Sequence, residues 1–237
     1  MEGAANLLKK FHPVLFADAE LSELERRFDL PADFTSVCWF GVDAEFWTLP
    51  TEGGFREGVL AVGNDSRRDF KTLLGAARLS LDTCFTVVTR RERPENLPGN
   101  VNWRRGDWKE VPISDEELRS LYQRAACVVV PLEECIQPSG QSVAMQAMMC
   151  GAPVVHTKTQ GWWGGDVIRD GEHVRLVQAG NPVEMMAAIQ KSMNEKKLPL
   201  SRQALLEAKW TSKGFAIRLH EIIAQAANKI DTISRAS

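Results

Sequence analysis

From Glu57 onward the chain alternates short, largely β-branched apolar runs with stretches in which apolar positions recur every three to four residues. The runs are GVLAVG (58–63), CFTVVT (84–89), NVNW (100–103), CVVVPL (127–132), PVVHT (153–157) and VRLVQ (174–178). A strand with one wet face alternates apolar with polar, so unbroken runs of this length predict strands covered on both faces, as in a parallel sheet. Helical spacing falls between them, at 69–79, 114–126, 142–150 and 181–193, with a long amphipathic segment at 213–233. The repeated strand–helix order predicts an α/β fold: a doubly wound, Rossmann-like parallel sheet with right-handed crossovers. Ser114 before Asp115-Glu116-Glu117, and Asn181 before Pro182, predict helix starts through an N-cap and the helix dipole.

Residues 1–50 follow another pattern: a helix near 17–28, a turn at Pro31-Ala32-Asp33, a short strand, then GVDAEFWTLP (41–50). The opening residues read like the middle of a domain. Thr51–Gly58 is small, polar and glycine-rich, the composition of a linker, which places a domain boundary there. The expected organisation is a 1–50 extension and a 51–237 α/β domain ending in a helix.

With 237 residues and 44% apolar content, the chain can bury one substantial core. Its formal net charge is −2 and its cations are interspersed with acids, which argues against a nucleic-acid partner. Five cysteines form no Cys-x-x-Cys pair, and Cys84, Cys127 and Cys150 sit in apolar runs where a thiol packs as a small hydrophobe. A reducing compartment follows. The four histidines lack metal-site spacing, so no metal is expected. No apolar stretch is long enough to cross a bilayer, and a cytoplasmic location is expected.

The segment PSGQSVAMQAMMCGAPVV (138–155) is where chemistry first enters. A small polar loop opens an apolar helix, and Ser139, Gly140, Gln141 and Ser142 would form its first turn. Amides there lack partners and the helix dipole is positive, which suits a phosphate without a metal. The plainer alternative is that Ser139 caps a helix and Gly140 makes a turn. After the first strand, GNDSRRDFK (63–71) puts Gly63 at a turn and Arg67, Arg68 and Lys71 near the strand's C-terminal end, where ligands of α/β domains gather. The alternative for that cluster is a solvated helix start with Asp69 as dipole partner. Met145, Met148 and Met149 read as core. GWWGGD (161–166) is open between a wall of a ligand cleft and an apolar plug against another domain.

Five segments, in order and spacing, resemble the C-terminal half of a family 4 glycosyltransferase, an enzyme of the GT-B fold: GVDAEFW (41–47), VLAVGNDSRRDFKTLL (59–74), DEELRSLYQRAACVVVPL (115–132), the 138–155 loop and helix, and DVIRDGEHVRLVQAGNPVEMMAAI (166–189). The resemblance implies a donor-binding domain for a nucleotide-diphosphate sugar, retention at the anomeric carbon, no cofactor, and an acceptor-binding domain outside this sequence. By family position Arg68 takes the place of a phosphate-binding lysine and is the expected catalytic cation, and Val111 and Pro112 fall at the base pocket. The family's two loop glutamates are replaced by Pro138 and Gln146. Gln146 can still offer an amide to a ribose, Pro138 can offer no side-chain bond, and Glu133 and Glu134 lie just upstream. The implied partner is a nucleotide sugar, together with an N-terminal-domain chain or self-association. Any peripheral attachment to the inner membrane would run through the absent domain. Two other readings stand beside this one. A non-catalytic donor-binding or partner subunit is suggested by Pro138 and Gln146. A dinucleotide-dependent oxidoreductase is disfavoured because GNDSRRD stands where Gly-x-Gly-x-x-Gly would be.

Overall fold

The computed structural model describes residues 8, 11–31, 34–51, 55–106, 112–195 and 200–236, with side chains to residue 228. Six parallel strands form the central sheet: β3 (Glu57–Val62), β4 (Phe85–Thr89), β5 (Val101–Arg105), β6 (Ala125–Val130), β7 (Val154–Lys158) and β8 (Arg175–Gln178). Their order is β5-β4-β3-β6-β7-β8, the doubly wound arrangement in which strand order reverses between β3 and β6. A separate two-stranded parallel pair, β1 (Val14–Leu15) and β2 (Ser36–Val37), brackets helix α1 (Asp18–Phe28).

Strand side chains alternate between two cores, one on each face of the sheet. Cys127 and Val129 of β6 join Val59, Ala61, Phe85 and Val87 beneath helices α2 (Phe70–Arg78) and α5 (Pro182–Asn194). Val128 and Val130 face the other way, toward Tyr122 of α3 (Asp115–Arg124) and toward Met145, Met148 and Met149 of α4 (Gln141–Met149). All three methionines are fully buried, as their apolar spacing predicts. Two further helices, α6 (Ser201–Glu207) and α7 (Ser212–Ala236), close the chain. The seven-residue α6 has no counterpart in the sequence reading, because one short stretch carries too little periodicity to register.

The expected helix starts form as read. Ser114 Oγ accepts from Glu117 N at 3.1 Å, and Asn181 Oδ1 accepts from Glu184 N at 3.1 Å with Pro182 in the first turn. Asp69 caps α2, accepting from Thr72 N at 2.9 Å. Cys84 is a correction. It is exposed just before β4, whereas Cys38, Cys127, Cys135 and Cys150 are buried, and all five are free thiols. Its apolar neighbours belong to the strand, while the cysteine itself lies before the first paired residue.

Two arginines orient α4. Arg56 donates to Cys150 O at 2.7 Å, and Arg202 donates to Met149 O at 2.7 Å. Both cations complement the negative end of the helix dipole, leaving its positive end at the C-terminal edge of the sheet.

Candidate anion site at the strand switch

The β3–α2 loop and the segment after β6 are knitted together where the strand order reverses. Asp69 N donates to Pro131 O at 3.0 Å and Glu133 N to Arg67 O at 2.9 Å. Asp65 joins this seam to the loop before α4: its Oδ1 accepts from Ser139 Oγ at 2.9 Å and from Arg67 N at 3.0 Å. Its Oδ2 lies 3.2 Å from Arg68 Nε.

Arg68 is only 3% exposed. Its guanidinium lies against two glycines. A Cβ on Gly63 would overlap Arg68 Nε, and one on Gly140 would lie 2.7 Å from Arg68 Nη1. Arg68 Nη1 has no hydrogen-bond partner among the described residues, and Nε faces Asp65 without hydrogen-bond alignment. Burial pulls its pKa below the ordinary arginine value, opposed chiefly by the Asp65 carboxylate. Arginine's intrinsic pKa is so high that the group remains a cation. Arg91 holds the loop from outside, donating to Arg68 O at 2.9 Å and Asp65 O at 2.7 Å, with its guanidinium 5.4 Å from the Phe70 ring centroid.

Helix α4 starts from Gly140, whose φ of 75° is the left-handed conformation that glycine tolerates best. Ser139 takes neither role that the sequence suggests. Its amide donates to Gln137 O at 2.7 Å in a tight turn and its hydroxyl goes to Asp65, so it neither caps the helix nor offers an N–H to a ligand. The amides left at the start of α4 are therefore those of Gly140, Gln141 and Ser142. Amides in a first turn have no intrahelical acceptor. The buried Gln141 side chain adds an Nε2 with no partner among the described residues.

The structure thus brings Gly63, Arg68, Gly140, Gln141 and Ser142 to one locus and leaves Lys71 elsewhere. Lys71 is exposed and lines an open groove of about 450 Å³ with Phe70, Leu74, Arg78 and Pro94. Its place in the first turn of α2, one residue past Phe70, turns it away from the 139–142 loop. Gln146 lies farther along α4, where its Oε1 accepts from Tyr122 Oη at 3.4 Å. Val111 falls outside the described residues, while Pro112 is exposed. Glu134 is tied to Gln160 N at 2.7 Å, and Glu133 is exposed. Among the described residues no group of three or more histidine, cysteine or acidic side chains is placed to hold a metal ion, and no helix is long and apolar enough to cross a membrane.

The two tryptophans of GWWGG are placed differently from one another. Trp163 is fully buried and packs 6.1 Å from Trp210, which stacks on Trp39 at 5.4 Å. Trp162 stands edge-on to His156 at 5.0 Å. Trp163 belongs to the chain's own core, and the half-buried Trp162 packs against that core and His156.

His156, in the apolar run of β7, is 1% exposed, and its Nδ1 lies 2.7 Å from Thr157 O. A carbonyl only accepts, so Nδ1 carries the proton. Burial pushes its pKa down to about 4 from the ordinary 6.5, against the opposing pull of the Thr157 carbonyl. The unfolded chain takes up this proton near pH 6.5 and the folded chain only near 4, so the stability associated with neutral His156 is lost as pH falls through that window. The expected loss is on the order of 3 kcal/mol. Urea unfolding at pH 7 and pH 4.5 measures it, and His156→Gln should flatten the slope. A residual slope from His173, also lowered by burial, should persist. An unchanged slope in the variant would contradict the assignment.

These features define a doubly wound α/β domain in which the buried Arg68 meets the first turn of α4 at the strand switch. The family model described as "Glycosyl transferases group 1" matches residues 56–195, more than half of the chain. The chain belongs to that family. Among solved structures it is similar to sucrose-phosphate synthase from Thermosynechococcus elongatus, with TM-score 0.75 and 18% identity over 95% of this chain and 61% of that one. It is also similar to Anabaena Alr3699/HepE, solved with UDP and glucose, with TM-score 0.73 and 15% identity over 94% of this chain and 66% of that one. The C-terminal domain of the group 1 protein LpcC from Francisella tularensis is covered completely, at TM-score 0.54 and 14% identity over 73% of this chain. These likenesses establish a GT-B Rossmann-like fold, and the chain spans less than two thirds of the first two proteins. No curated protein matches it in sequence.

Proposed function

We propose that this chain carries the donor site of a retaining glycosyltransferase that uses a nucleotide-diphosphate sugar, with residues 51–237 as the donor-binding domain and 1–50 as the tail of an acceptor-binding domain and the link to it. The observation that carries the reading is the buried Arg68 guanidinium, with its unpaired Nη1 beside the first turn of α4. A diphosphate there would accept from the Gly140, Gln141 and Ser142 amides, with the helix dipole and Arg68 offsetting its charge. The same groups stabilise the charge that grows on the departing diphosphate, so they act more strongly in the transition state than in the ground state. No resident cofactor takes part in this scheme. Gln146 presents its amide to the ribose, and acceptor binding belongs to the other domain. The Anabaena relative, solved with UDP and glucose, supports a nucleotide sugar as partner.

A second reading, a non-catalytic donor-binding or partner subunit, is favoured by Pro138 and by Glu134 being engaged with Gln160, which leave the loop poor in carboxylates for sugar hydroxyls. Donor hydrolysis or transfer by the isolated chain would exclude it.

Calorimetric titration with UDP, GDP and ADP in the presence of a chelator tests the site. One nucleotide should bind, and Arg68→Ala should weaken it by roughly tenfold to a hundredfold, the loss of one or two charge-assisted hydrogen bonds. A folded chain indifferent to all three nucleotides would overturn the reading.

A further inference from the structure

Resting on the donor-site reading, we infer that Asp65 selects ligands by charge: its carboxylate, set against Arg68 and the loop before α4, disfavours a doubly charged terminal phosphate relative to a phosphodiester. The case starts from an anomaly, an acid at the edge of a site suited to an anion. Asp65 Oδ2 lies 3.2 Å from Arg68 Nε, and its Oδ1 accepts from Ser139 Oγ at 2.9 Å, one residue before the glycine that opens α4. One carboxylate thus touches both the cation and the loop that define the locus.

The ion pair is lopsided. The Arg68 side chain is 2% exposed and that of Asp65 38%, so the negative member is the one open to solvent and to an arriving ligand. In a ligand-free chain this carboxylate is the chief group opposing the effect of burial on Arg68, which would otherwise be a buried cation without compensation. Once a phosphate reaches Nη1, the same carboxylate works against it, because like charges repel in proportion to the charge that the ligand carries.

Donor and product differ in that charge. In a nucleotide sugar the β-phosphate is a diester with a single negative charge. On transfer the anomeric C–O bond breaks and its electron pair stays on the β-phosphate oxygen, while the acceptor oxygen forms the new bond and releases its proton to solvent. The diphosphate left behind ends in a monoester, which carries about 1.5 to 2 negative charges at neutral pH. Arg68 and the first-turn amides stabilise this growing charge, and Asp65 limits how tightly the product is then held.

Asp65 does not depend on the ion pair for its place. Its backbone carbonyl accepts from Arg91 Nη2 at 2.7 Å, and Oδ1 accepts from Arg67 N at 3.0 Å. Asparagine can keep the Oδ1 contacts and lacks the charge, so Asp65→Asn separates charge from geometry.

The test titrates the wild type, Asp65→Asn and Ser139→Ala with whichever of UDP, GDP and ADP binds, and with the β-methyl ester of that nucleotide, which lacks the extra terminal charge. Asp65→Asn should tighten the nucleoside diphosphate about tenfold and its methyl ester only about threefold. Ser139→Ala, which removes the tether and leaves the carboxylate, should keep the ratio of the two affinities at its wild-type value. An equal change for both ligands in Asp65→Asn, in either direction, or lost binding by that variant while folded would overturn the inference. A wild type indifferent to all three nucleotides would overturn the donor-site reading itself. If Asp65→Asn fails to fold in thermal denaturation, Asp65→Ser takes its place in the same comparison.

Discussion

Replacing Gly63 with alanine is expected to remove nucleoside-diphosphate binding as completely as removing Arg68. The new Cβ would overlap Arg68 Nε and lie 2.7 Å from Cζ and 2.8 Å from Cδ, so the guanidinium has to leave its slot. It has little room to shift, because Gly140 also borders the guanidinium and the Asp65 carboxylate lies 3.2 Å from Nε. Overpacking of this kind costs about 1–3 kcal/mol of stability, and the displaced cation no longer meets the first turn of α4. Affinity should fall roughly tenfold to a hundredfold, with Gly63→Ala/Arg68→Ala no weaker than either single variant. Calorimetry on the three variants decides it. A Gly63→Ala chain that binds like the wild type would show that Arg68 serves the fold alone.

The second large effect is expected at Gly140. Alanine there meets two penalties at once. A residue with a Cβ at φ 75° is strained by about 1 kcal/mol, and the Cβ would overlap Val130 Cγ1 in a fully buried strand that cannot yield. Together with the collision against Arg68, the loss should be about 2–4 kcal/mol, a drop in melting temperature of roughly 5–15 °C for a chain of this size. Unlike Gly63→Ala, the damage is to the cradle's backbone as well as to its cation. Thermal unfolding reads the first effect and nucleotide titration the second. A variant melting with the wild type would mean that the loop relaxes without cost, contrary to the packing described.

Asp65, Arg91 and His156 are the residues that the sequence left unnamed at this site. Each had a faint signal. Asp65 follows the glycine turn after a strand, Arg91 follows the end of the next strand, and His156 interrupts an apolar run near a strand's C-terminal end, the edge where ligands gather. None is distinctive by itself, because what singles them out are contacts made only in the fold: Asp65 to Ser139, 74 positions away, Arg91 to the Arg68 and Asp65 carbonyls one strand over, and His156 beside Gly140. Ser139 illustrates the converse. As a serine beside a glycine before an apolar helix it looks like a cap or an amide donor, and only the turn back to Gln137 and the reach to Asp65 show that both of its donors are engaged.

What the sequence by itself determined is the layered α/β architecture, its six core strands and their helices, because periodicity and N-cap chemistry are local and each run reports its own burial. The approach of Gly63 and Gly140 to one guanidinium, the placing of Lys71 in an exposed groove and the burial of Trp163 were decided by the tertiary structure. These depend on which strands become neighbours at the switch between β3 and β6, and that pairing joins residues far apart in the chain, so no local pattern encodes it.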